Sequence, residues 1–301
     1  MTIPDVGSLS DESGQMGVAK ALLWQMRPKQ WTKNFLVLAS ALFAGKLLHL
    51  EVMLLTGLAF ISFCFVASSV YVINDIIDVE KDRLHPDKRK RPIASGALSI
   101  PAAVVLGIVL LAVAFGVAYY LGKLFLGIIV LYLVTNVAYS FRLKHVVIID
   151  VMIIALGFVL RAISGAVAIG DSITPWFALC TMMISLFLAL GKRRYELELF
   201  NGDSTKQRKV LSYYTVALLD QLITLVTAVT ITSYALYTAE SSGNKYMMLT
   251  VPLVIYGIFR YLYLIHLEHA GGKPEEILLS DKHIYLTVII FGITVVFLKS
   301  F

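Results

Sequence analysis

Nine long apolar stretches, parted by short polar segments, constrain this chain more than any other feature. They fall at 35–50, 53–73, 101–121, 124–141, 146–170, 174–191, 214–238, 247–267 and 283–298. A helix rises 1.5 Å per residue, so about 20 apolar residues cross the hydrocarbon of a bilayer. The first window is short and is expected to extend back through Trp31. In lipid every backbone polar group must find its partner inside the protein, which leaves only helices and closed barrels. The windows are continuous rather than alternating, so they do not read as barrel strands. The chain is expected to be all-α, a polytopic membrane protein of nine transmembrane helices. Residues 19–301 read as a single membrane-embedded domain behind a polar, flexible tail, 1–18. That tail lacks the basic-then-apolar build of a secretory signal, and no internal repeat of 20 to 50 residues is visible.

Composition agrees. Only 15% of the residues are charged, against about 25% in soluble domains. The net charge of +6 does not point to nucleic acid, because the basic residues sit in short loops between apolar windows. Lys20, Arg27, Lys29 and Lys33 precede the first window, and Lys81 to Arg91 follow the second. Arg142 and Lys144 follow the fourth, Lys192 to Arg194 with Lys206, Arg208 and Lys209 the sixth, and Lys273 and Lys282 the eighth. The alternate loops hold only Lys46, Lys123 and Lys245. This asymmetry puts the N-terminus and the richly basic loops in the cytoplasm and the C-terminus outside, with the cell membrane as the expected location. Cys64 and Cys180 lie far apart inside apolar windows and imply neither a disulfide framework nor a thiolate metal site.

The least apolar long stretch is NDIIDVEKDRLHPDKRKRPIASG, 74–96, after the second window. Asn74, Asp78 and Asp82 are spaced i, i+4, i+8, and Asp75 joins Asp78 and Asp82 at i, i+3, i+7. On a continued helix these four share a face, while Glu80 points elsewhere. A cluster of hard oxygen ligands suits Mg²⁺, which prefers a few carboxylates plus substrate phosphate oxygens. The competing reading is an ordinary solvated helix end, but carboxylates there oppose the helix dipole. Beyond them lies a basic run, Lys88, Arg89, Lys90 and Arg91, bracketed by Pro86, Pro92 and Gly96, which suggests a shaped loop. Topology alone would account for such a run. A metal face followed by ordered Arg and Lys is also what a diphosphate needs.

Three further segments on the same side carry similar chemistry. RPKQWTKNF (27–35) brings Lys29, Lys33 and Asn34, YSFRLKH (139–145) brings Tyr139, Arg142 and Lys144, and GKRRYELE (191–198) brings Lys192, Arg193, Arg194 and Tyr195. Singly each reads as topology plus an aromatic belt; together they favour a polyanion pocket. Asp150 and Arg161 stand eleven residues apart in one window and would share a helix face, Asp150 near enough to the cytoplasmic surface to join the site. A structural ion pair to other helices is the equal alternative for Arg161. His266 and His269 lack a third ligand for zinc, and GGKPEEILLSDK (271–282) reads as a lid or a turn.

With these residues in view, the chain resembles the UbiA-type intramembrane prenyltransferase superfamily over nearly its whole length, through the NDxxDxxxD pattern of Asn74, Asp75, Asp78 and Asp82. The resemblance implies a helical bundle around a cavity open to the cytoplasmic face and to lipid. It also implies a diphosphate substrate held through Mg²⁺ by Asp75, Asp78 and Asp82, with Asn74 supporting. One departure stands out. Members of the superfamily carry a second Asp-rich motif where this chain has GKRRYELE, and a positive cluster suits an additional phosphate better than a second metal. RPKQWTKN, HPDKRKRPIASG, LKHVVIID, GKRRYEL and GGKPEEILLSD resemble most the branch of polyprenyl-phosphate (decaprenyl-type) phosphoribosyltransferases. That likeness implies phosphoribosyl pyrophosphate as donor and a polyprenyl phosphate as acceptor, in cell-wall biosynthesis. The substrates would be bound by Lys33, Asn34, Asn74, Lys88, Arg89, Arg91, Tyr139, Lys144, Lys192, Arg193 and Tyr195. The alternatives are prenyl transfer to an aromatic or lipid acceptor, and a cation-binding transporter without chemistry. A homo-oligomer is compatible with the sequence.

Overall fold

The computed structural model describes residues 17–199, 209–268, 271–272 and 274–300, and it is helical with no strand among them. Residues 1–16 of the expected tail, the basic residues Lys206, Arg208 and Lys273, and His269 lie outside the described residues. Two short helices, α1 (Val18–Gln25) and α2 (Leu36–Phe43), flank a 3₁₀ segment at Pro28–Phe35. Then follow α3 (Leu50–Ile77), α4 (Val79–Leu84), α5 (Ile100–Leu121), α6 (Lys123–Phe141), α7 (Ile149–Ala168) and α8 (Pro175–Leu199). The chain continues with α9 (Val216–Leu236), α10 (Val251–Leu267), α11 (Pro274–Ser280) and α12 (Lys282–Ser300).

Among the described residues, eight helices are long and apolar enough to cross a membrane. The protein is a multi-pass membrane protein. Large apolar side chains such as Val105, Ile108, Leu225 and Ile293 stay exposed on these helices, as residues facing lipid must. The expected first span, 35–50, is the window that differs: apart from Leu50, which opens α3, only the eight residues of α2 are α-helical there. Its limits have local causes. Pro28 blocks continuation from α1, Arg27 turns the chain at φ +54°, and Gly45 at φ +70° ends α2.

The chain forms two compact units, one of residues 1–34 and 60–133, the other of 35–59 and 134–301. In the first, Ala21, Val72, Val79, Ile93, Leu98 and Ala103 make one buried cluster. That cluster joins α1, the end of α3, α4, the 91–99 loop and the start of α5. The basic loop is therefore shaped, as expected: Ile93 and Leu98 are buried, and the Leu98 amide bonds the Pro92 carbonyl at 2.9 Å.

In the second unit α7, α8 and α9 pack in sequence, α2 lies on α7, and α10 packs against α12. Phe187, Leu190, Leu219, Ile223, Ile258 and Ile265 belong to its core. The α2–α7 contact is close because Gly165 has no side chain; a Cβ there would overlap the Val37 carbonyl oxygen. The Ser40 hydroxyl also donates to the Ala162 carbonyl at 2.7 Å. Short as it is, α2 is firmly seated.

Candidate functional site

In the first unit the acidic motif departs from one uninterrupted helix. α3 ends at Ile77, Asp78 adopts φ −94°, ψ 8°, and α4 resumes at Val79. The continued helix expected through Asp82 is thus corrected to a helix with one non-helical residue, in the bridge region of backbone space. Aspartate tolerates that geometry, since its short polar side chain competes with helical bonding. The ladder survives on both sides. Asp78 N–H bonds the Asn74 carbonyl at 2.9 Å, and Asp82 N–H bonds the Asp78 carbonyl at 2.8 Å.

Asp75 is only 2% exposed and is surrounded by donors. Arg27 Nη2 reaches both its oxygens, at 2.6 and 2.7 Å, and Gln25 Nε2 reaches Oδ2 at 2.8 Å. Arg91 Nη1 bridges Asp75 Oδ1 at 2.9 Å and Asp82 Oδ2 at 2.6 Å. The left-handed Arg27 backbone aims its guanidinium inward, over the Tyr71 ring at 4.7 Å. Asp78 is half-buried, with Lys81 Nζ 3.8 Å from its Oδ1. Among the described residues no three His, Cys, Asp or Glu side chains are gathered as a preformed metal cage; Asp75 and Asp82 share Arg91 instead.

The other expected residues of this unit are dispersed. Asn74 is half-buried, and Lys88 and Arg89 are exposed in a 3₁₀ turn. Lys33 Nζ lies on Gln30 Oε1 at 2.7 Å, and the buried Asn34 donates to Cys64 Sγ at 3.3 Å. Sequence reasoning treated Arg27 as a topology charge and passed over Gln25. The Arg-Pro step after α1 was the visible signal that the chain turns back there.

In the second unit a buried arginine pairs with a buried carboxylate. Arg193, 2% exposed, donates from Nε to Asp150 Oδ2 at 2.8 Å and from Nη1 to Glu196 Oε2 at 2.7 Å. Asp150 is fully buried, and its other oxygen accepts the Tyr214 hydroxyl at 2.8 Å. That hydroxyl also accepts the Ile148 N–H at 2.8 Å. Ile148 has φ +67°, a strained backbone for a β-branched residue. Burial, with the bond to Asp150 adding, pushes the Tyr214 phenol up to about 12. Tyr139, half-buried, lies within electrostatic reach of Arg193.

Asp150 therefore pairs with α8, not with Arg161. Arg161 donates to the Gly157 carbonyl of its own helix at 2.7 Å and stacks near Phe158. Eleven residues span about 16 Å of helix, so a shared face does not bring the two side chains into contact. Arg194 is buried as well, paired with Asp220 at 2.6 Å and Glu198 at 2.8 Å. Lys144 and Lys192 are half-buried. Tyr195 carries the Gly271–Gly272 loop on its ring; a Cβ on Gly272 would come within 2.5 Å of Tyr195 Cε1. Only a glycine pair lets the chain lie so close.

Comparison with known proteins gives a consistent result. Residues 34–276 match the model of the UbiA prenyltransferase family. The decaprenyl-phosphate phosphoribosyltransferase of Corynebacterium glutamicum is 38% identical over 275 residues, covering 88% of this chain and 82% of that protein. The decaprenyl-phosphate phosphoribosyltransferase of Mycobacterium tuberculosis is 35% identical over 288 residues, 93% of each chain. In fold, a UbiA homolog from Archaeoglobus fulgidus bound to GPP and Mg²⁺ superposes with a TM-score of 0.69 at 20% identity, over 92% of this chain and 99% of that one.

Proposed function

Because the chain belongs to the UbiA prenyltransferase family, we propose that it is a membrane transferase moving 5-phosphoribose from phosphoribosyl pyrophosphate to a decaprenyl-type polyprenyl phosphate. The observation that carries this reading is the likeness, along nearly the whole chain, to decaprenyl-phosphate phosphoribosyltransferases of two organisms. The end of α8 supports it. Arg193 and Arg194 stand there, where the resemblance leads one to look for a second acidic motif.

The donor set fits Mg²⁺. Asp75, Asp78 and Asp82 supply carboxylate oxygens, and the buried Gln25 Oε1, beside Asp75, has no hydrogen-bond partner. Hard oxygen donors of this kind suit a small divalent cation. Bound there, the ion would supply charge neutralisation for the departing pyrophosphate. Arg27 and Arg91 pair with the two buried carboxylates and orient them. Both arginines are about a quarter exposed, so each can turn toward an incoming phosphate.

In the transfer, the bond from ribose C1 to pyrophosphate oxygen breaks and a bond from C1 to the lipid phosphate oxygen forms. The attacking phosphate is already ionised at neutral pH, so the protein need not remove a proton. Its work is positioning and charge stabilisation. Lys33, Lys88, Arg89, Arg91, Lys144 and Lys192 are the cations assigned to phosphates, with Asn34, Asn74, Tyr139 and Tyr195 as polar neighbours. Arg193 serves as a positioning residue held by Asp150 and Glu196.

The 28–43 segment counts in this reading as the first of nine spans. The loop charges support a cytoplasmic N-terminus in the plasma membrane. The test is pyrophosphate release by purified protein with Mg²⁺. Phosphoribosyl pyrophosphate plus decaprenyl phosphate should support it. Release only from prenyl diphosphate plus an aromatic acid would replace this reading with prenyl transfer.

A further inference from the structure

The second unit has a cavity of about 260 Å³ that takes no part in the chemistry above. It opens among the ends of α2, α7 and α12, the start of α8 and the turn after α9. From Asp150 to Ala166, which lines it, α7 rises roughly 24 Å. The cavity thus lies at the opposite membrane face from the Asp150–Arg193 pair.

One wall is aromatic. Phe43, Phe177 and Tyr237 pack on one another with ring centroids 5.0 to 5.7 Å apart. The other side is polar, with Asp171, Ser241 and Lys299. Asp171 is already answered: Lys46 Nζ lies 2.9 Å from Oδ2, and the Ser172 amide donates to Oδ1 at 2.9 Å. Glu240, next to Ser241 in sequence, is turned to Trp176 Nε1 at 2.9 Å. Lys299 is different. Its ammonium donates to the Ser242 carbonyl, and among the described residues it meets no carboxylate.

Lys299 is also held in place. Gly45, at φ +70°, lets the chain approach so closely that a Cβ there would lie 2.9 Å from the Lys299 carbonyl oxygen. Asn244 Nδ2 clamps the preceding carbonyl, of Leu298, at 2.6 Å. The carbonyl that Lys299 holds follows a single π-helical turn, Tyr237–Ser241, of a kind frequent at functional sites. An ammonium has three donors, and one is used. Two remain for a ligand beside an apolar wall, at the depth where helix ends meet headgroups.

We propose that this cavity binds the phosphate head of an anionic glycerophospholipid, with Lys299 as its cation and the Phe43–Phe177–Tyr237 wall against its chains. A lone fixed cation beside aromatic rings suits an amphiphile. A free phosphate would want several donors around it.

The full-length protein, stripped of lipid in detergent, is titrated separately with phosphatidylglycerol, phosphatidylcholine and inorganic phosphate. Retained lipid is counted by native mass spectrometry. Wild type should keep one phosphatidylglycerol, Lys299→Arg should match it, and Lys299→Met should bind about tenfold more weakly. Ser172→Trp, at the exposed rim, should plug the mouth and lose the lipid without a change in melting temperature. It decides the matter alone where Lys299→Met does not fold. Unchanged phosphatidylglycerol retention in either loss variant overturns the proposal. Phosphatidylcholine held as tightly, or displacement by inorganic phosphate at equal concentration, overturns it too.

Discussion

Asp75 and Arg193 are both buried to 2% exposure, and each is answered by ions of the opposite sign. Their partners differ. Asp75 is held by Arg27 and Arg91, whose side chains are 25% and 29% exposed. Arg193 is held by Asp150, which is not exposed at all, and by Glu196. An ion whose partners reach solvent can exchange them for a cation or a phosphate. A buried ion paired with a fully buried carboxylate cannot, because leaving either one alone in low dielectric is costly. The first arrangement can work in turnover, and the second holds helices together.

Four measurements would break or sharpen that contrast. The largest effect belongs to the exchangeable side. Asp78→Ala should lower pyrophosphate release about a thousandfold, with the melting temperature in detergent unchanged. Normal activity in that variant would remove the metal assignment. On the closed side, Arg193→Met strands the Asp150 carboxylate and should cost about 3–5 kcal/mol in chemical denaturation. Arg27→Met should cost less, because Gln25 and Arg91 remain on Asp75. Equal losses in the two variants would erase the distinction.

Tyr214→Phe removes one hydroxyl from Asp150 and from the strained Ile148 amide, a loss of about 1–3 kcal/mol by the same denaturation. The last effect is in alkali. An unfolded tyrosine titrates near 10, whereas Tyr214 is raised to about 12 in the fold. Between those values the unfolded chain has released its proton and the folded chain has not, so stability falls as pH rises. Below pH 10 the group contributes no slope. The Tyr214→Phe protein should lack this decline, and an identical alkaline limb would place its origin elsewhere.

Features governed by local sequence were legible in advance. Eight of the nine apolar windows correspond to described helices of spanning length, because lipid leaves a long apolar segment little else to become. The bracketed basic loop is ordered by Ile93 and Leu98, and its proline boundaries signalled as much. Features set by long-range pairing were hidden. Spacing placed Asp150 and Arg161 on one helix face but could not name the partner of Asp150, which is Arg193, forty-three residues away. Gln25 and Arg27 fold back onto Asp75 from about fifty residues upstream, and no periodicity within the acidic motif could announce them. The break at Asp78 was also invisible, since its bridge geometry hardly disturbs the hydrogen-bond ladder.

The seat of α2 bears on how the chain is made. Ser40 bonds a carbonyl 122 residues further on, and the groove that admits Val37 exists only where Gly165 is present. During synthesis α2 therefore emerges long before its resting place has been translated. Eight helical residues are too few to partition into the hydrocarbon by themselves. Its seat is complete only once α7 has followed, so the earliest part of this unit to be made is installed well after its own synthesis.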